Sequence, residues 1–216
     1  MKTIVVGSQK GGSGKTMLAA HLAVETERAG ETSWIIDTDR QATLSLWHER
    51  RPNESPARLD VPLQRLAAGL EKIASQGAAF CFIDTAPTIS QQNTALLDLA
   101  DLVLIPVRPS PSDLWAVAET VAEVQAAGKP FLFVLTQAKP QASITAQAIA
   151  ALSKHGRVAE AFVADRVAYA AAMTGGNTAP ELAPKGPAAQ EIAALWREIK
   201  SCFMESKKAI KEVTYG

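Results

Sequence analysis

The stretch with the clearest capacity for chemistry is Lys10-Gly11-Gly12-Ser13-Gly14-Lys15-Thr16. Its glycines let successive backbone N–H groups turn inward around an anion without a Cβ in the way. A helix that starts near Gly14 points its positive N-terminus at the same anion. Lys15 has the reach to meet the outer phosphates of a nucleotide, and the Thr16 hydroxyl suits Mg²⁺. The residue at the first position of G-x-x-x-x-G-K-T is Gln9 rather than glycine, and the loop carries an additional lysine, Lys10. A Gly-rich turn without function is the plain alternative. Asp37, Asp39 and Asp84 stand at the ends of apolar runs, where a parallel sheet presents groups to a ligand.

Elements that could position these residues are legible as apolar runs at Ile4–Val6, Trp34–Ile36, Phe80–Ile83, Leu102–Ile105 and Phe131–Leu135. Runs without polar alternation suit strands covered on both faces. Helical patterns lie between them, near Lys15–Ala29, Pro62–Gln76, Gln91–Ala100, Ser112–Ala127 and Ser143–Lys154. Gly30, Gly77, Gly128 and Gly156 follow four of these, where left-handed caps are expected. The alternation predicts an α/β fold: a doubly wound, mostly parallel sheet flanked by helices, in a single domain over residues 1–216. The proline-rich pieces Arg51–Pro62 and Thr178–Pro187 read as surface loops.

K-G-G-x-G-K-T is the deviant Walker A pattern, and through it the chain resembles the ParA/MinD family of ATPases, most closely the short ParA-type partition ATPases. Asp37-Thr38-Asp39-Arg40-Gln41 is similar to the family's D-x-D-P-Q segment, and Phe80–Pro87 to its Walker B strand and switch. Ile105-Pro106-Val107 and Asp165-Arg166 with the Ala-rich stretch after it also match. Departures are Arg40 for a proline, Ala86 for a first proline, and Met17 for a second threonine.

The resemblance implies slow, partner-stimulated ATP hydrolysis with ATP and Mg²⁺ as cofactors. Lys10, Gly11, Gly12, Ser13, Gly14, Lys15, Thr16 and Met17 would bind the nucleotide, and Thr16, Asp37 and Asp84 would serve the metal. Lys10, Lys15 and Asp39 would carry the catalysis: Lys10 reaching a partner's nucleotide across a homodimer, Asp39 positioning the attacking water. Two plainer readings stay open: Lys10 as a solvated loop lysine, and Asp37 and Asp39 as caps of the next helix. Thr136–Lys139, with Gln137 foremost, and Arg108–Asp113 are candidate adenine edges, or simply loops. The implied partners are a second copy with ATP, non-specific DNA and a small centromere-binding adaptor of ParB or ParG type. The implied place is the cytoplasm, on the nucleoid, with plasmid or other cargo. A MinD-like membrane-associated positioning ATPase is the alternative.

Composition narrows the rest. Lys plus Arg and Asp plus Glu are 22 each, so any nucleic-acid contact must use a local patch. Cys81 and Cys202 supply neither a disulfide framework nor a convincing pair for a metal cluster, and His21, His48 and His155 have no zinc spacing. The N-terminal apolar run is too short for a signal peptide, and no uncharged run reaches bilayer length. With the first strand near Thr3, no helix-turn-helix segment for operator binding is expected. Nothing indicates the substrate site of a small-molecule kinase.

The expected C-terminal helix, about 188–212, sorts into three stripes at about 100° per residue. Ile192, Leu195, Trp196, Ile199, Phe203 and Ile210 form an apolar face. Glu191, Glu198, Glu205 and Glu212 form an acidic one. Arg197, Lys200, Lys207, Lys208 and Lys211 form a basic one, the candidate DNA surface. The acidic stripe argues against a membrane-surface helix. An ordinary solvated helix with i,i+3 and i,i+4 charge pairs is the alternative.

Overall fold

The structure is a computed structural model. It describes the backbone of residues 1–87 and 91–214, and side chains within that span except at 91–93 and 205–214. The apolar runs become strands β1 (Lys2–Val6), β2 (Ser33–Asp37), β4 (Phe80–Asp84), β5 (Leu102–Val107) and β6 (Phe131–Leu135), joined by a short β3 (Ala57–Arg58). All pair in parallel, in the order β3-β2-β4-β1-β5-β6. From β1 the chain crosses to β2 on one side; from β4 it crosses over β1 to β5 on the other. Loops that leave in opposite directions open a crevice at the carboxyl ends of those strands.

Strand residues alternate between two apolar layers. Ile4, Val6, Ile35, Phe82, Leu104 and Val134 face one; Val5, Ile36, Ile83, Val103, Ile105 and Leu135 face the other. The first layer receives α1 (Lys15–Arg28), α2 (Thr43–Glu49), α7 (Val167–Thr174), α8 (Ala179–Leu182) and α9 (Pro187–Thr214). The second receives α3 (Leu66–Ser75), α4 (Gln91–Asp98), α5 (Pro111–Ala126) and α6 (Ser143–Leu152). Helix α1 is buried nearly all round, through Leu18, Ala19, Ala20, Leu22, Ala23 and Val24.

Three local expectations are corrected. Arg51–Pro62 is not all loop, because Ala57 and Arg58 pair with Trp34 and Ile35 as β3. Thr178–Pro187 is a surface loop only in its second half: Thr178, Ala179 and Pro180 are buried and a Thr178–Glu181 capping box starts α8, whereas Leu182 to Lys185 are exposed. Gly30, Gly77 and Gly128 adopt positive φ, but Gly156 does not. Gly156 is needed instead for close approach, since a Cβ there would strike the Phe131 ring.

Gly176 combines both demands. Its φ is +74°, and a Cβ would fall on the Arg50 carbonyl at the end of α2. Around it, Trp47 Nε1 donates to Asn177 O at 3.1 Å, and the Arg51 guanidinium reaches Gly176 O at 3.0 Å and Glu181 at 2.9 Å. Gly176→Ala is therefore expected to destabilise the protein by about 2 kcal/mol or more. At Gly30, where φ is +83° and the space is open, alanine is expected to cost only about 1 kcal/mol. Urea unfolding of both variants checks the difference; equal costs would remove the packing argument.

Candidate functional site

Parallel register sets Val6, Asp84 and Asp37 side by side at the carboxyl edge of the sheet. The chain leaves β1 into residues 7–14 and enters α1 at Lys15. Gly14 is the N-cap, with φ at 96°. The backbone N–H groups of residues 11–16 make no hydrogen bond among the described residues. They belong to a loop and first helical turn whose dipole favours negative charge.

Thr16 Oγ1 donates to Asp84 Oδ2 at 2.5 Å. Asp84 is 1% exposed, and its Oδ1 has no hydrogen-bond partner. Burial pushes its carboxyl up to about 7; Asp37 and Asp39 add to the rise, and Thr16 and Lys15 oppose it. Lys15 is buried too, and its ammonium donates to Lys10 O at 3.3 Å. Burial lowers the Lys15 pKa, against the pull of Asp84 and Asp39. A cavity of about 410 Å³ lies here, walled by Gly11, Gly12, Gly14, Lys15, Thr16, Met17 and Asp39. A Gly-rich anion cradle, a buried cation and a carboxylate–hydroxyl pair with a spare oxygen suit the phosphates of a nucleotide and a hard divalent ion.

The two acidic residues after β2 are placed differently. Asp37 Oδ1 accepts from Asp39 N at 3.0 Å and Oδ2 from Ser45 N at 2.8 Å, so its carboxylate caps α2. Asp39 lines the cavity while its Oδ1 accepts from Gln41 N at 3.0 Å. Lys10 has no acidic partner among the described residues, and its backbone N–H donates to Ser8 Oγ at 3.3 Å. Ser13 is 1% exposed.

Gln137 stands next to the loop itself: its Nε2 donates to Gly12 O at 3.0 Å. Thr136 and Arg108 also reach loop carbonyls, at Ser13 and Gly11. Met173 of α7 lines the cavity as well. No local pattern marks it, since tertiary packing alone brings α7 to the site.

The candidate DNA face lies away from the cavity, on α9. Arg197 is exposed, and its Nε donates to Ala193 O. Lys200 pairs with Glu31 at 3.2 Å and sits 5.7 Å over the Trp196 ring. The side chains of Lys207, Lys208 and Lys211 lie outside the described residues. Ile192, Leu195, Trp196 and Ile199 are buried on the sheet.

The described part of the acidic stripe is half-buried and hydrogen-bonded to the rest of the fold. Glu198 accepts from the N–H groups of Glu160 and Ala161 at 3.0 and 3.2 Å, and Glu191 binds Ala164 N, the Arg166 guanidinium and the Tyr169 hydroxyl. Among the described residues, no helix is long and apolar enough to cross a membrane.

Asp84 yields a pH prediction for the nucleotide-free and metal-free protein. Its folded pKa, about 7, lies above the ordinary 3.8. Between those values the folded state binds the extra proton, so the Asp84 contribution to stability is full below pH 3.8 and is lost as pH rises to about 7. Asp84→Asn should therefore raise the melting temperature at pH 8, and the gain should shrink steadily toward pH 4. A gain independent of pH would contradict the buried carboxylate.

Comparison with known proteins agrees with this geometry. Residues 4–179 match the model of the CobQ/CobB/MinD/ParA nucleotide binding domain. The chain is 30% identical over 212 residues to maintenance of carboxysome distribution protein A of Halothiobacillus neapolitanus, covering 91% of this chain and 95% of that one. Protein ParA of Rhizobium radiobacter is 29% identical over 123 residues, 56% of this chain and 55% of the relative. Among solved structures, an ATP complex of a Cyanothece McdA variant superposes with a TM-score of 0.77 at 20% identity, over 94% of this chain and 96% of that one. Septum site-determining protein MinD from Pyrococcus horikoshii, complexed with Mg-ADP, gives 0.76 at 17% identity, over 92% and 95%. The family match spans the phosphate loop, Asp37, Asp39 and Asp84 alike, and the chain belongs to the CobQ/CobB/MinD/ParA family of nucleotide-binding proteins.

Proposed function

We propose that the chain is a positioning ATPase that binds ATP with Mg²⁺, pairs with a second copy in that state, holds DNA without sequence preference, and lets go when hydrolysis follows. The observation that carries this reading is the Thr16–Asp84 pair, whose buried Oδ1 has no partner, at the base of a loop of unbonded N–H groups. The residues fit Mg²⁺, because Thr16 and Asp84 offer the hard oxygen donors it prefers and Asp84 Oδ1 is otherwise an uncompensated buried acceptor. When bound, the ion supplies neutralisation of phosphate charge.

The chain's own residues do the rest. Loop N–H groups and the Lys15 ammonium bind the phosphates and stabilise negative charge in phosphoryl transfer. Asp39 keeps Oδ2 for orienting the attacking water, its Oδ1 being engaged by Gln41 N. Lys10, without an acidic partner among the described residues, extends to the nucleotide of the second copy and couples hydrolysis to pairing. Asp37 acts by fixing the start of α2.

The DNA reading rests on the basic side of α9, where Arg197, Lys207, Lys208 and Lys211 contribute charge; Lys200, tied to Glu31, contributes less. A dimer doubles a patch that is modest in one copy. A relative that matches nearly end to end is named for maintenance of carboxysome distribution, which favours a cargo of that kind over a plasmid. An adaptor protein would link that cargo to the dimer and stimulate hydrolysis.

Four variants test the reading. Lys15→Ala should abolish ATP binding. Lys10→Ala should bind ATP yet hydrolyse it poorly, and Asp39→Ala should accumulate as the ATP dimer in light scattering. A parent and an Asp39→Ala variant that both stay monomeric with ATP would refute the switch. DNA binding should need ATP, fall steeply with salt, and vanish when Lys207, Lys208 and Lys211 are all changed to Glu. Sedimentation of the parent with anionic liposomes in ATP would transfer the proposal to a membrane surface.

A further inference from the structure

The loop that cradles the nucleotide is itself held from behind. Thr136 Oγ1 donates to Ser13 O at 2.7 Å, Gln137 Nε2 to Gly12 O at 3.0 Å, and Arg108 Nη2 approaches Gly11 O at 3.5 Å. These are consecutive carbonyls, met by side chains that follow the last residues of β5 and β6. Val107 and Leu135 pair in register, and Thr136 N donates to Val107 O at 3.0 Å, so both strand ends face the loop together.

Each of these side chains is constrained. Thr136 is fully buried. Arg108 is locked by Asp113, with Nε and Nη2 each 2.9 Å from a carboxylate oxygen. Asp113 is buried in the first turn of α5; burial alone would raise its pKa, but hydrogen bonds from Arg108 and Ser110 hold it below the ordinary range. Gln137 adopts φ of 50°, a conformation that costs a non-glycine residue about 1 kcal/mol or more. Strain at a residue whose amide grips the loop is the mark of a position held for its side chain.

We infer that Thr136, Gln137 and Arg108 are positioning residues for the nucleotide: by holding the carbonyls of Ser13, Gly12 and Gly11, they turn the N–H groups of Gly14, Ser13 and Gly12 toward the phosphates. In a trans peptide the C=O and the following N–H point in opposite directions. Pinning the carbonyl therefore aims the amide, and Gly11, Gly12 and Gly14 wall the cavity on the other side. An unpinned glycine loop would have to be ordered by the nucleotide at a cost in affinity. Gln137 thereby takes a role other than contact with adenine.

This inference rests on the proposed ATPase reading, and the test separates the two. The parent, Thr136→Val, Thr136→Ser and Gln137→Gly are titrated with ATP in Mg²⁺, and the melting temperature of each is measured without nucleotide. Thr136→Val keeps the shape and loses the donor, so ATP affinity should fall about tenfold, while Thr136→Ser should stay within about threefold of the parent. Gln137→Gly removes the grip and relieves the strained backbone together. It should melt no lower than the parent and still bind ATP several-fold more weakly, an outcome that a merely structural residue would not produce. Parent-like affinity in both Thr136→Val and Gln137→Gly overturns the inference. A parent that fails to bind ATP overturns the ATPase reading instead.

Discussion

A carboxylate deprived of water is the constraint around which this molecule is arranged. Asp84 ends the strand between β1 and β2, so neighbours cover it on both sides, and register sets it level with Val6 and Asp37. Burying such a group costs several kcal/mol unless partners replace the lost hydration. Thr16 replaces part of it and Lys15, itself buried, offsets more by charge. One oxygen is still uncompensated. A cation and phosphates at this place would compensate that oxygen.

That arrangement requires α1 to start at one place only, and the other elements secure it. Its buried face packs against β2, β4 and α9, and His21 ties its second turn to α8. The His21 ring contacts Met17 O at 2.9 Å and accepts from Ala179 N at 3.1 Å. Burial lowers the His21 pKa to about 4, so the ring is neutral at pH 7 and can donate from one nitrogen while accepting at the other. The far wall depends on α9. Glu191 grips Arg166 and Tyr169 at the start of α7, and α7 delivers Met173 to the cavity. A helix at the end of the chain therefore helps shape a site built mainly from its beginning.

Much of this was legible in the sequence, for physical reasons that differ by element. The strands buried on both faces, and the long helices between them, announce themselves by composition because nothing polar is tolerated in such a sheet. The phosphate loop is equally plain, since only glycines permit its backbone. What escaped depends on distance in sequence. β3 is two residues long, too short for a period, and exists because β2 offers an open edge. α8 follows from a capping box whose glutamate also receives Arg51. Asp37 and Asp39 carry the same side chain two positions apart, and only the start of α2 decides that one caps a helix while the other faces the cavity.

The charged stripes of α9 show why a helical wheel underdetermines a surface. Periodicity assigns Glu191 and Glu198 to a solvated face where they would neutralise the helix's own lysines and arginine. In the fold both glutamates turn to backbone N–H groups and to partners on the segment between β6 and α7. Glu191 pairs with Arg166 and Lys200 with Glu31, both partners lying on other parts of the fold. Acids engaged by backbone N–H groups and by partners on other elements screen the cations of their own helix less. A chain with 22 acidic and 22 basic residues can for that reason still present a positive side, because the balance that matters to a phosphate is that of the groups left facing water.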